Sequence, residues 1–433
     1  MLSGIITFLP LSSLKNTHDA HLFLDWLAKR KQRGWLQSPI SAPLLMPYKN
    51  NGIGISPDLL EDIDAAPRPI SPSERQQFLA QNASWLPDFA LYHALSEHFR
   101  CPQWWLWPEN IKKRAPKSLA YYQTKLAPLI NAIINQQYQL FTKLSSLRQA
   151  ATAKGLSLIG DLPFYIAHHS PLVWAHQNAF VLSAKGELDV VSGIAAKSND
   201  IFGEQVWGHP LYNWSSHQEE VLTIFRLRLA FMAQFYDLIR LDHADGFFHH
   251  GAIYPATPEK NTILSGPGRE ALVSVLNFAR KHSLDIFLDD IGADTSELHH
   301  LMDDQGLFGT NILTLASFAN QHLLDISAYP PHKVAFSSTH DTPPLLSWLE
   351  NLSPDLKHQL KVANHLPEEL SDPDLAATLR DRLAQLSSSH LVIIPWQDWH
   401  LETWRFNIPG RENESHWEHK VKIAYNPQKE SLV

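Results

Sequence analysis

Cysteine is almost absent: Cys101 is the single thiol among 433 residues. No disulfide can form within the chain, and this composition suits the cytoplasm. Long hydrophobic runs are missing too, since none reaches the ~18–20 residues that a membrane-spanning helix needs. The opening MLSGIITFLPLSSLK has an apolar centre, but no basic residue precedes it and no small-residue cleavage pattern follows. It reads as a first buried strand rather than a secretory leader. Positive charge is in the minority, with 36 Lys and Arg against 44 Asp and Glu and a net charge of -8. That balance excludes nucleic acid or an anionic membrane as the main partner. No glycine fingerprint follows an early strand, which speaks against a doubly wound dinucleotide fold. Histidine is plentiful at 24 residues, yet there is no His-x-His at a strand end and no His-Glu-x-x-His. The adjacent pairs His168–His169, His249–His250 and His299–His300 point different ways on a strand or helix and make poor chelators, so no metal site is expected.

Apolar composition is 44%, enough for a large core, and fourteen tryptophans stand out, clustered in PQWWLWPENI and IPWQDWHLETW. Indoles ordinarily pack in cores; they also stack on the apolar faces of sugar rings. Along the chain, strand-like runs alternate with helical patterns. SGIITFL, GWLQSPI, GLSLIGDLPFY, YDLIRLDHADG, LDIFLDDIG, NILTLASF, KVAFSSTHDT and HLVIIPWQD read as strands. HQEEVLTIFRLRLAFMAQF places Val221, Phe225, Leu229, Met232 and Phe235 at helical spacing, and GREALVSVLNFARKHS is a second helix. Strand, helix, strand in this rhythm predicts parallel strands with helical crossovers, and about eight strands close a (β/α)8 barrel. The expected organisation is one barrel over 1–433, with insertions at about 49–129 and 170–214 and no separate C-terminal β-sandwich. The stretch 352–386 carries mixed charges and reads as a solvated helical face.

In such a barrel, catalytic groups sit at the carboxyl ends of the strands. Asp161, Asp242, Asp289, Asp290 and Asp341 all fall at strand ends. A single strand-end Asp commonly caps a helix or starts a turn; four strands ending this way indicate a carboxylate-lined site. Arg240 and Asp242 are two residues apart, so both can point into the mouth, and the guanidinium favours an ionised Asp242. Asp289 and Asp290 are adjacent and must face opposite ways. Paired carboxyl groups, one ionised and one protonated, suit glycosidic bond chemistry, and Asp341 with its neighbour His340 supplies a third acid.

These motifs, in order, resemble glycoside hydrolase family 77, the 4-alpha-glucanotransferases. WLPDFALYHAL, WPENIKKR, GDLPFYIAHHSPLVWA, QVWGHPLYNW, RLDHADGF, SGPG, DDIG, STHDT and RFNIPG carry the likeness over almost the whole sequence. The resemblance implies a retaining transfer of α-1,4-glucan segments between maltooligosaccharides, with no metal or organic cofactor. By position, it makes Asp242 the nucleophile, Asp289 the acid/base and Asp341 the transition-state stabiliser. Arg240 and His340 are their substrate-binding neighbours; Tyr48, Trp207 and Asn407 line the glucan path, and Asp290 is a sugar-hydroxyl or structural contact.

Several positions depart from the family pattern. Asp289 stands where a glutamate is usual, one methylene shorter, and Asp245 and Phe248 replace an arginine and a glutamate. Ser265 replaces a lysine, and Thr342 an asparagine. Two expectations follow: a transferase working through Asp289 with reduced activity, or a barrel that binds oligosaccharide with little or no turnover. Glu204 in FGEQVWG is a substitute acid to consider, although an exposed loop glutamate is ordinarily solvated. Nothing in the sequence sets the oligomeric state.

Overall fold

The computed structural model describes residues 2–41, 46–59, 70–195, 203–292, 295–316, 324–410, 417 and 419–423. Each run named above holds or overlaps a strand, except that NILTLASF contributes only Asn311 and Ile312 to its strand; Leu313–Leu315 turn into a short 3-10 helix, and residues 317 and 318 lie outside the described residues. In chain order the strands are β1 (Gly4–Phe8), β2 (Gly34–Leu36), β3 (Ser157–Leu162), β4 (Val191–Ile194), β5 (Gln205–Val206), β6 (Leu238–Leu241), β7 (His249–Ile253), β8 (Thr262–Ser265), β9 (Asp285–Leu288), β10 (Gly309–Ile312), β11 (Lys333–Phe336) and β12 (Leu391–Pro395). Eight of them, in the order β10-β11-β12-β1-β2-β3-β6-β9, form one sheet whose pairings are all parallel. The end strands β9 and β10 meet through the Leu288 N–H, which donates to Phe308 O at 2.8 Å. The result is the expected (β/α)8 barrel. Its strands are buried on both faces, as in all five residues of β12, because helices cover the outside and packed side chains fill the inside.

Register sets the site. Across the β3–β6–β9 ladder, Asp161 lies opposite Arg240 and Arg240 opposite Phe287. Asp161 and Arg240 therefore share a face at the carboxyl ends of adjacent strands.

The long connection after β2 contains helices Pro72–Gln81, Leu86–Phe99, Pro116–Lys125 and Ala127–Ala153. The first starts with a capping box: Ser71 accepts the Glu74 N–H, while Glu74 accepts the Ser71 N–H. The PQWWLWPENI cluster here is mostly packing. Trp104 is fully buried and donates to His168 O at 2.8 Å, and Trp105 stacks on His168 with centroids 3.7 Å apart. Helix Asp372–Leu386 differs from the solvated face expected over 352–386. Leu375, Leu379 and Leu383, one turn apart, are fully buried, so it belongs to the coat of the barrel.

A second, antiparallel sheet was not legible in the sequence. It runs β5-β4-β7-β8, with β4 and β5 from the connection after β3 and β7 and β8 from the one after β6. Its strands are short and glycine-bearing, which hides the alternating pattern. The glycines are there because the chains cross closely: a Cβ on Gly251 would lie 2.1 Å from Gly193 O. Among the described residues, no helix is long and apolar enough to cross a membrane.

Candidate active site

Arg240 organises the mouth of the barrel. Its Nη1 lies 3.1 Å from both oxygens of Asp161 and 2.8 Å from Asp242 Oδ1, and its Nη2 lies 2.7 Å from Asp289 Oδ2. One buried guanidinium thus joins carboxylates from the ends of three neighbouring strands. The turn after Asp242 is tight: His243 adopts φ 47°, a left-handed conformation unusual for a residue with a Cβ. This brings the His243 N–H to 3.4 Å from Asp289 Oδ2. Asp289 Oδ1 is buried and has no hydrogen-bond partner among the described residues.

Asp341 forms the opposite wall. His340 Nε2 stands 3.0 Å from its Oδ2, Asn407 Nδ2 donates to its Oδ1 at 2.6 Å, and Arg405 donates to its main-chain oxygen at 2.6 Å. Tyr48 stacks on the His340 ring with centroids 5.0 Å apart, and its hydroxyl donates to Asp161. Trp207, just after β5, meets His243 edge-on at 4.9 Å.

The electrostatics follow from crowding. Four carboxyl groups, those of Asp161, Asp242, Asp289 and Asp341, face Arg240 and His340. Burial is the main cause that pushes Asp242 up to about 8, with repulsion from Asp161, Asp289 and Asp341 adding to it and Arg240 pulling the other way. Burial also raises Asp289, again against Arg240. Arg240 favours the ionised form of Asp242, as expected from the sequence, but its charge is divided among three acids and burial outweighs it. Asp242 and Asp289 are thus both shifted toward the protonated form. Asp341 differs. Burial opposes its charge, but His340, Asn407 and Arg240 hold it down at about 2. His340 is raised in turn: burial disfavours its charge, and the Asp341 carboxylate more than offsets this.

The sequence candidates Asp242, Asp289, Asp341, Arg240, His340, Tyr48 and Asn407 converge here, with Trp207 one contact away. Asp290 does not. Its side chain turns to the other face, as strand alternation requires. There it accepts from Thr310 N at 2.7 Å, Thr310 Oγ1 at 2.9 Å and His299 Nε2 at 2.9 Å, and it pairs with Lys333. Both its oxygens are engaged, which favours the structural contact among its two expected roles. Glu204 is exposed and accepts from Asn261 at 2.9 Å, its side-chain hydrogen bond among the described residues. Thr342 turns inward onto Thr314 and the Thr339 N–H.

Two members of the site lacked an assigned role in the sequence. Asp161 was visible as a strand-end acid, but its pairing with Arg240 needed the register. Trp417, with its ring 5.7 Å from His340 and 6.0 Å from Tyr48, carried no signal, because a tryptophan so far along the chain gives no hint of where it returns. Among the described residues, no three His, Cys, Asp or Glu side chains are arranged to hold a metal ion.

A carboxylate-lined mouth at the carboxyl end of a parallel barrel is the arrangement anticipated from the motifs; the clamping of three of its acids by one arginine emerges only in the structure. Residues 57–424 match the model of glycoside hydrolase family 77, described as 4-alpha-glucanotransferase. The chain belongs to that family. Among similar proteins, the 4-alpha-glucanotransferase of Aquifex aeolicus is 29% identical over 373 residues, covering 82% of this chain and 73% of that one. The Thermus thermophilus 4-alpha-glucanotransferase is 29% identical over 378 residues, with the same coverage, 82% and 73%. The chloroplastic/amyloplastic enzyme of Solanum tuberosum is 29% identical over 326 residues, which span 73% of this chain and 54% of that one. In fold, the chain is similar to the amylomaltase of Streptococcus agalactiae solved with acarbose, at TM-score 0.84 and 21% identity, covering 97% of this chain and 95% of that one. The Corynebacterium glutamicum amylomaltase gives 0.75 at 18% identity, over 96% and 71%. Tyr48 precedes the stretch that matches the family model; the other site residues named above lie within it.

Proposed function

We propose that this family 77 chain is a cytoplasmic 4-alpha-glucanotransferase that moves α-1,4-glucan segments between maltooligosaccharides with retention, through a glycosyl ester on Asp242. The observation that carries this reading is the single guanidinium of Arg240, which contacts both Asp242 and Asp289.

The proton belongs on Asp289. Its Oδ2 already accepts from Arg240 and the His243 N–H, whereas Oδ1 is buried and unpartnered, the natural seat for a carboxyl hydrogen directed at substrate. Asp242 then carries the negative charge, with Oδ1 fixed by Arg240. The carboxylate attacks the anomeric carbon of the donor glucan. The glycosidic C–O bond breaks, its electron pair stays on the leaving oxygen, and Asp289 gives that oxygen its proton. In the second half, the ionised Asp289 takes the proton from the 4-hydroxyl of an acceptor. The acceptor oxygen attacks the same carbon, and the ester to Asp242 breaks. Two inversions give retention. Asp341, kept ionised by His340 and Asn407, faces the positive charge that develops on the sugar ring. Tyr48, stacked on His340, and Trp207 supply flat surfaces for the glucan.

A second reading is favoured by one contact: the 2.7 Å bond from Arg240 stabilises an ionised Asp289 and restrains a side chain already short. On that reading the barrel binds oligosaccharide and turns it over slowly or not at all. Incubation with maltotriose separates the two. Glucose plus longer maltooligosaccharides, lost in Asp242→Asn, is the transferase result; saturable binding with no product at high enzyme concentration would overturn it.

A further inference from the structure

Helix Trp214–Met232 carries a buried cation that the scheme above leaves unused. Arg228 is 1% exposed, and among the described residues no carboxylate stands at ion-pair distance from it. Its guanidinium instead donates to main-chain oxygens: Nη1 to Phe164 O at 3.1 Å and Nη2 to Pro163 O, with Tyr212 Oη 3.5 Å from Nη1. Nε has no partner among the described residues. A guanidinium buried without a contacting carboxylate is costly, and what it holds is therefore informative. Pro163 and Phe164 directly follow β3. The preceding carbonyl, Leu162 O, accepts the N–H of Asp242 at 3.1 Å. The Phe164 ring meets His243 edge-on at 5.9 Å and Phe247 at 5.2 Å, so the same segment abuts the turn that leaves Asp242. A continuous line of contacts runs from Arg228 through 162–164 to the main chain of Asp242.

We propose that Arg228 is a positioning residue for Asp242: it pins the Leu162–Phe164 main chain on which Asp242 hangs, and it places a further permanent positive charge behind the carboxylate cluster. The proposal rests on the reading of Asp242 as nucleophile. The groups that face Asp242 are Arg240 from β6, Asp161 from β3, Asp289 after β9 and Asp341 after β11, with Tyr48 and His340 beside them; Tyr212 and the charge of Asp242 face Arg228. Against this excess of acid stand three cations that no ordinary pH discharges, Arg240, Arg228 and, beside Asp341, Arg405.

The test is kcat/KM against pH, with maltotriose, for the wild type, Arg228→Met and Arg228→Lys. A cation in contact shifts a carboxyl by about 1–3 pH units, and one a layer further off by less, about half a unit. Arg228→Met should raise the acid limb by about that half unit and lower kcat by roughly 100-fold at little changed KM, the scale of a small misplacement of a reacting group. Arg228→Lys keeps the charge but not the fork, so its limb should stay in place while kcat recovers only in part. A folded Arg228→Met with an unmoved limb overturns the proposal, as does an Arg228→Lys limb that moves upward. Should Arg228→Met fail to fold, the Arg228→Lys limb decides alone. A wild type without turnover would count against the transferase reading only. Arg228 is then tested by the pH dependence of the Tm difference between Asp242 and Asp242→Asn, with and without Arg228→Lys: an unchanged midpoint supports the proposal, and a raised one overturns it.

Discussion

Arg240 Nη2 and Asp289 Oδ2 are 2.7 Å apart, so the proposed acid/base is tied to the guanidinium that also holds the proposed nucleophile. With the shorter aspartate at this position, the tie draws the carboxyl back toward the strand end. Asp289→Glu should restore reach and raise kcat by roughly tenfold or more, since misplacements near 1 Å cost about 100-fold in rate. Maltotriose turnover under saturation measures it. A fall in kcat would mean that the barrel has closed around the shorter acid.

The raised Asp242–Asp289 pair predicts the pH profile. Catalysis needs one proton on the pair. Below the acid limb a second proton neutralises the nucleophile; near pH 8, where Asp242 is placed at about 8, the last proton leaves and no acid remains. The profile of kcat/KM should be a bell whose basic limb lies near 8. A basic limb set near pH 6 by an ordinary histidine would contradict the assignment.

Asp242→Asn should gain stability as it loses activity. With Asp242 and Asp289 both shifted upward in the folded protein, between about pH 4 and about 8 the folded site holds a proton that the unfolded chain has lost, and stability falls as pH rises. Asparagine removes that dependence. Tm should exceed the wild type by about 2–4 °C or more at pH 8, and the gap should shrink toward pH 4. An equal Tm at both pH values would mean that the folded site holds no extra proton.

Asp290 should matter to the fold rather than to the sugar. Its carboxyl is 2% exposed, and Thr310, His299 and Lys333 hold it at about 2 although burial opposes its charge. It also bridges β9 to β10, where the ladder is thinnest. Asp290→Ala leaves Lys333 without its carboxylate and should cost about 3–5 kcal/mol, read from denaturant unfolding. The wild-type contribution is complete above about pH 4 and fades as pH falls toward 2. An unchanged unfolding midpoint would return Asp290 to the substrate side.

The barrel was legible because most of its strands are apolar runs ending in a polar turn, β10 with its sequence GTNI being the exception, and the acids were legible because strand ends expose them. What stayed hidden depends on distant partners. The β5-β4-β7-β8 sheet hides because close crossing demands Gly193 and Gly251 where alternating apolar residues would signal strands. Asp161 needed the β3–β6 register to meet Arg240, and Trp417 needed the chain to return over Tyr48. Asp290 kept two readings because sequence order shows two adjacent acids but not that Thr310 and Lys333 await the second. The division of one guanidinium among three carboxylates, which sets the proton on the pair, is a property of assembled strands and of no single motif.

The most direct test of the central claim is the covalent step. Wild-type protein turning over maltooligosaccharide is quenched in acid, digested and weighed by mass spectrometry. The account predicts glucan-sized additions on the peptide that contains Asp242, absent in Asp242→Asn. Turnover with the addition on a different residue would contradict it.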